Sequence, residues 1–191
     1  MKLEFKMHGF ENAQGQVMRD ATRIPGAIKR VQAKMALHVA KQIREGVRRG
    51  WPEGGDKFKP LAESTKKIKK SSKPLINHGD LLRSINATEV KDGWFIGVHK
   101  SVNGPDGKPL WNIAEIHEFG TKPFQIPITP KLRRWWMAMV SKGIFTGPLH
   151  ALQSVISHPG VPARPFLRPV WAKFEKEAEQ MWRTLLQQEL R

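Results

Sequence analysis

Three features of the chain predict an α+β fold: a long amphipathic helical pattern near its start, a hairpin signal at its middle, and a second helical pattern at its end. The expected architecture is one domain over residues 1–191, with an antiparallel β-sheet packed by a long N-terminal helix and a C-terminal helix, and with a long basic loop between them. Residues 2–8 open the argument, because Leu3, Phe5 and Met7 alternate with Lys2, Glu4 and Lys6, the period of a strand with one buried face. From Pro25, a residue suited to a first helical turn, apolar residues recur at Ile28, Val31, Met35, Val39, Ile43 and Val47 until Gly50 and Pro52 end the pattern. That spacing predicts a helix of about six turns. Its other face carries Lys29, Arg30, Lys34, Lys41, Arg44, Arg48 and Arg49, which is either a contact for a polyanion or a solvated face.

Residues 51–78 change character. Prolines stand at 52, 60 and 74, and seven lysines between Asp56 and Lys73 face only two acids, a net of +5 for the segment. Like charges at this density repel one another, so a mobile basic loop or arm is expected. Ser64 to Lys70 could still form a short helix on a partner or on phosphate. Beyond the arm, Asn86–Val90 and Trp94–Val98 flank Lys91-Asp92-Gly93, a hairpin signal in which Asp-Gly supplies positive φ angles. Next, LWNIAEIHEFG reads as a helix with Ile113, Ile116 and Phe119 on one face, ended by Gly120. Phe124, Ile126 and Ile128 alternate with Gln125 and Pro127 as an edge strand, since proline cannot donate to a ladder. Residues 131–158 read as an insertion-like helical segment with Leu132, Trp135, Trp136, Met139 and Val140, then a glycine-rich break. Val170, Phe174, Met181, Leu185 and Leu186 mark the last helix.

Composition narrows the function. The excess of 33 Lys and Arg over 17 Asp and Glu leaves +16, enough to attract phosphate backbones without reading their sequence. No apolar run approaches the ~18 residues of a membrane span, and the N-terminus lacks a secretion signal, so the chain is expected in the cytoplasm after synthesis. With no cysteine, disulfides, thiolate metal sites and cysteine nucleophiles are excluded. His117-Glu118 lacks the second histidine of a zinc-protease helix, and His78-Gly79-Asp80 has no further ligands nearby in sequence. Neither an enzyme nor a cofactor or metal site is expected, and a surface histidine is the simpler reading of both.

Three ordered motifs carry a resemblance. The first is WPEGGDKFKPLAESTKKIK followed by KPLINHGDLLRSI, with Trp51, Pro60, Leu61, Thr65, Gly79, Leu81, Ser84 and Ile85; the second is AEIHEFGT at 114–121, with Glu118, Phe119 and Gly120; the third is VPARPFLRP at 161–169, with Arg164, Pro165 and Phe166. Together they span residues 51–169, and the chain resembles the tail-completion and virion-morphogenesis proteins of tailed bacteriophages. The stretch 131–158 is longer and richer in tryptophan than that family's pattern. The resemblance implies an α+β subunit of a homo-oligomeric ring, with sixfold symmetry suggested by tail proteins, at the neck or tail end of the virion. Its neighbours there would be head-completion or connector proteins and the tail tube or tail terminator, with packaged DNA passing along the axis. Lys66, Lys67, Lys69, Lys70 and Lys73 are the candidate contacts to DNA or to an acidic partner. Physically, Phe119 reads as a core anchor, Gly120 as a left-handed cap, and Arg164 as an arginine that anchors a carboxylate at an interface. The alternative is a basic nucleic-acid-binding module that forms no ring.

Overall fold

The computed structural model describes residues 10–69, 72–145 and 154–191. The strand expected over residues 2–8, and Lys70, lie outside them. Helix α1 runs Phe10–Arg49, about 60 Å at 1.5 Å per residue, and so begins fifteen residues earlier than the pattern starting at Pro25 predicts. Pro25 stands inside it, without an N–H for the preceding turn. The described side chains before it are exposed. Burial starts at Ala27 and continues through Val31, Ala36, Val39, Ala40, Ile43 and Val47, the expected stripe widened by alanines.

The segment read as a mobile arm is instead fastened to the body. Pro52 is fully buried, Phe58 and Leu75 belong to the core, and between them lies the short helix α2, Glu63–Lys69. Leu75 holds φ at +61°, a conformation that costs a residue with a Cβ about 1–2 kcal/mol; its burial maintains it. Helix α3, Asp80–Ser84, leads into the hairpin of β1, Ile85–Val90, and β2, Gly93–Val98, paired from Ile85–Val98 to Val90–Gly93. Within its turn only Gly93 takes a positive φ.

Helix α4, Leu110–Phe119, is followed by β3, Phe124–Pro127, α5, Pro130–Ser141, and β4, Val155–His158. β3 and β4 form a second two-stranded antiparallel sheet, so the expected α+β architecture holds with its antiparallel strands in two small sheets among the described residues, and the insertion-like segment ends in a strand that the sequence reading missed. Helix α6, Arg168–Leu190, runs back along α1. Lys173 near its start pairs with Glu53, and Glu189 near its end pairs with Arg30 and Lys34 at 2.5 Å. Much of the basic face of α1 is thus matched by carboxylates, including Lys29 by Glu89 at 2.8 Å. The core gathers α1, the hairpin, Leu110 and Ala114 of α4, and Phe166 and Val170.

Candidate functional site

The second and third motifs meet at one knot, built on a charge that apolar periodicity does not find. α4 buries Leu110, Ala114 and Glu118, four residues apart on one face, whereas Phe119 is 60% exposed and Ile116 is exposed too. Phe119 is therefore no core anchor. It lies under the Arg168 guanidinium, 4.6 Å from ring centre. Glu118, 3% exposed, accepts the backbone N–H groups of Phe166, Leu167 and Arg168 at 2.8, 3.0 and 2.9 Å, and the Nε of Arg168 at 3.1 Å. These N–H groups open α6, whose cap residue Leu167 has no side-chain acceptor of its own. A carboxylate from α4 thus closes the start of a helix fifty residues away, where unpaired N–H groups and the helix dipole both favour negative charge.

Arg164 ties the first motif to the same knot. It is 4% exposed, and it holds backbone carbonyls where a carboxylate was expected: Nε donates to Lys59 at 2.7 Å and Nη2 to Pro60 at 2.9 Å. Its own N–H donates to His117 O at 2.7 Å. Burial pushes the guanidinium pKa down from its ordinary value, yet an arginine stays charged. Below this, Thr121 and Val161 exchange hydrogen bonds, one from backbone to backbone at 2.9 Å and one to Thr121 Oγ1 at 2.8 Å. Gly120 takes φ +73°, ψ −177°, a positive φ outside the left-handed helical well. A Cβ there would meet Val161 O at 2.7 Å and Ala163 N at 2.8 Å. Gly120 is required by this close approach as much as by its torsion.

The knot borders a cavity of about 590 Å³ between α2, α4 and the 104–106 turn, lined by Leu61, Thr65, Lys69, Leu75, Leu81 and His117 among others. His117 is largely buried, not a surface residue; its Nδ1 has no partner among the described residues, and its pKa falls to about 4 through burial, aided by the charges of Arg164 and Lys69. His78 is exposed. Among the described residues no group of three or more His, Asp or Glu could hold a metal ion.

The described candidate lysines differ in their surroundings. Lys66 pairs with Glu63 at 2.6 Å and Lys67 is exposed, whereas Lys69 turns toward the cavity and donates to Lys73 O at 3.0 Å. Partial burial lowers the pKa of Lys69. Trp51 is exposed, beneath the cations of Arg49 and Lys57 at 5.7 and 6.0 Å, and Gly79 caps α3. The structure therefore brings together Pro60, Glu118, Phe119, Gly120, Arg164, Pro165 and Phe166, leaves Trp51 and Gly79 apart, and adds Arg168 and the Thr121 hydroxyl, to which the sequence reading gave no role, and His117, which it read as a surface histidine. No family model matches this chain, no curated protein matches it, and no solved structure matches it.

Proposed function

We propose that this chain is a structural, non-enzymatic subunit of a tailed-bacteriophage particle, closing into a ring at the head–tail junction or tail end and allowing DNA to pass. The observation that carries the proposal is surface left over by the single chain. Phe95 and Trp171 are exposed beside one apolar groove, and Trp135 and Met137 are exposed on α5, the kind of apolar surface that subunit contacts cover. Among the described residues both sheets are two-stranded, so each described strand has an open edge, and open edges are satisfied when subunits pair. Glu118, Gly120, Arg164 and Phe166 of the second and third motifs join Pro60 of the first in one knot, which suits a family signature that maintains a subunit's shape. Head-completion or connector proteins, and the tail tube or terminator, are the neighbours this reading assigns.

Light scattering on the purified chain and electron microscopy of the same sample test it. Closed rings of one mass, and their position at the neck or tail end of virions, are expected. A monomer at all concentrations would remove the reading. The second reading, a nucleic-acid-binding module without ring assembly, is favoured by α5, where Lys131, Arg134, Trp135 and Met137 are exposed together. Tight DNA binding by a monomer, with a steep salt slope, would select it.

A further inference from the structure

The outer side of β2 borders an open groove of about 530 Å³, with Trp94, Phe95 and Ile96 along one wall, Leu167, Trp171 and Ala172 of the α6 region along the other, and Val39 and Ile43 of α1 as the floor. Its lining is mostly apolar, and Phe95 and Trp171 remain substantially exposed there. β2 pairs only with β1 among the described residues, so every second residue of β2 aims its N–H and C=O away from β1 without a strand to receive them. Trp94 and Ile96 share the hairpin face of Glu89 and Ile85, which lies against α1 through the Lys29–Glu89 pair and the bond from Arg44 to Ile85 O. An added strand with apolar residues on one side would fill the groove on that face and leave its polar side to solvent. Residues 2–8, with Leu3, Phe5 and Met7 opposite Lys2, Glu4 and Lys6, have that pattern.

Geometry decides whose groove they reach. α1 buries nothing before Ala27 among its described side chains, and Val17, Met18 and Ile24 are exposed apolar residues on that free part. The helix from Phe10 to Val39 covers about 44 Å, and a bend of ordinary size at Pro25 shortens this by only about 2 Å. Residues 3–7 lie three to seven residues beyond Phe10, a reach of about 10–25 Å even fully extended. Even the Trp94 end of the groove, opposite Glu89 and its partner Lys29, lies about 28 Å along the helix from Phe10, so Leu3, Phe5 and Met7 cannot together line the groove of their own chain.

We infer that residues 2–8 of one copy add as a strand to the β2 edge of a neighbouring copy, with Leu3, Phe5 and Met7 seated between β2 and α6. The inference rests on the ring reading and names the joint that would close it: a rigid helix carries each strand to the next subunit. Donation repeated from copy to copy is head-to-tail, the relation that generates a ring when the rotation between copies closes.

The chain has no cysteine, so introduced thiols report the joint directly. Phe95→Cys combined with Glu4→Cys or with Lys6→Cys places both thiols on the solvent side of the added strand. A short bis-maleimide should then give a ladder of multiples on a denaturing gel, with none from the single variants. In parallel, Leu3→Ser, Phe5→Ser and Met7→Ser together alter no described core residue, and should lower the oligomer to monomer at concentrations at least tenfold above the wild-type transition, with an unchanged circular dichroism spectrum. Wild-type oligomers that persist in the triple variant and give no ladder would overturn strand donation and leave the ring standing. A cross-link confined to the monomer would overturn it in favour of folding back, and a wild-type chain that is monomeric without a ladder would overturn both.

Discussion

The two sides of the close approach at Gly120 are held by opposite means. On one side, residues 117–121 and 160–168 bury a carboxylate and a guanidinium and satisfy them with backbone groups. On the other, β3, α5 and β4 bury no side chain of α5. Trp136 stacks on Phe145 at 4.4 Å, Trp135 meets the same ring edge-on at 5.6 Å, and the Trp136 Nε1 is buried without a partner among the described residues. Buried, fully bonded polar groups specify one arrangement of distant segments. Aromatic stacking at a half-open surface specifies much less, so the knot sets the architecture and the lobe hangs from it.

The sharpest way to break this contrast is at Glu118. Glu118→Ala strands three N–H groups and should cost about 3–5 kcal/mol, the range for breaking a buried charged network; Phe166→Ala, at a fully buried position, should cost a similar amount by leaving a cavity. Urea unfolding measures both, and a loss at Glu118 below about 1 kcal/mol would reduce the knot to an ordinary hydrogen bond.

A smaller effect is expected from pH. His117 titrates near 4 when folded and near 6.5 when unfolded, so the unfolded chain takes up the proton first. Stability is complete above pH ~6.5 and falls as pH drops from there through 4, by about 2 kcal/mol at pH 5. Melting curves at pH 7.5 and 5 should show that loss, and His117→Gln should flatten it; an equal pH slope in the variant would place the proton elsewhere.

Phe119→Ala should change stability by less than about 1 kcal/mol, the size of an exposed cation–π contact with Arg168. A loss matching Phe166→Ala would mean Phe119 is covered in the folded protein. The smallest effect belongs to the lobe: Trp136→Phe keeps the ring stack and removes the unpartnered N–H, so thermal melting should be unchanged or slightly raised. A marked drop would show that this nitrogen has a partner.

The α+β class, the hairpin, α4, α5 and α6 were legible because each rests on local periodicity and turn residues. α1 was legible along its buried face and misjudged at its start, since Pro25 resembles a first-turn proline and the residues before it have no core to mark them. Val155–His158 was missed because the partner that makes it a strand, Phe124–Pro127, lies thirty residues away. Glu118 was inside a recognised motif, yet its role was hidden: a search for apolar spacing selects Ile113, Ile116 and Phe119 and passes over the 110–114–118 face. The available signal was on the other segment, in a helix opening at Phe166-Leu167-Arg168 with no cap residue, which requires an acceptor from elsewhere.

Glu118 also sets an order of events during translation. A ribosome adding ~5–20 residues per second completes α4 roughly 3–10 s before it reaches Arg168. Until then the carboxylate has no N–H groups to accept and stays in water, which keeps α4 from seating against α1 and the hairpin. A chain interrupted anywhere before residue 168 therefore lacks the N–H groups that Glu118 accepts, and α4 is left without its tie to the last helix.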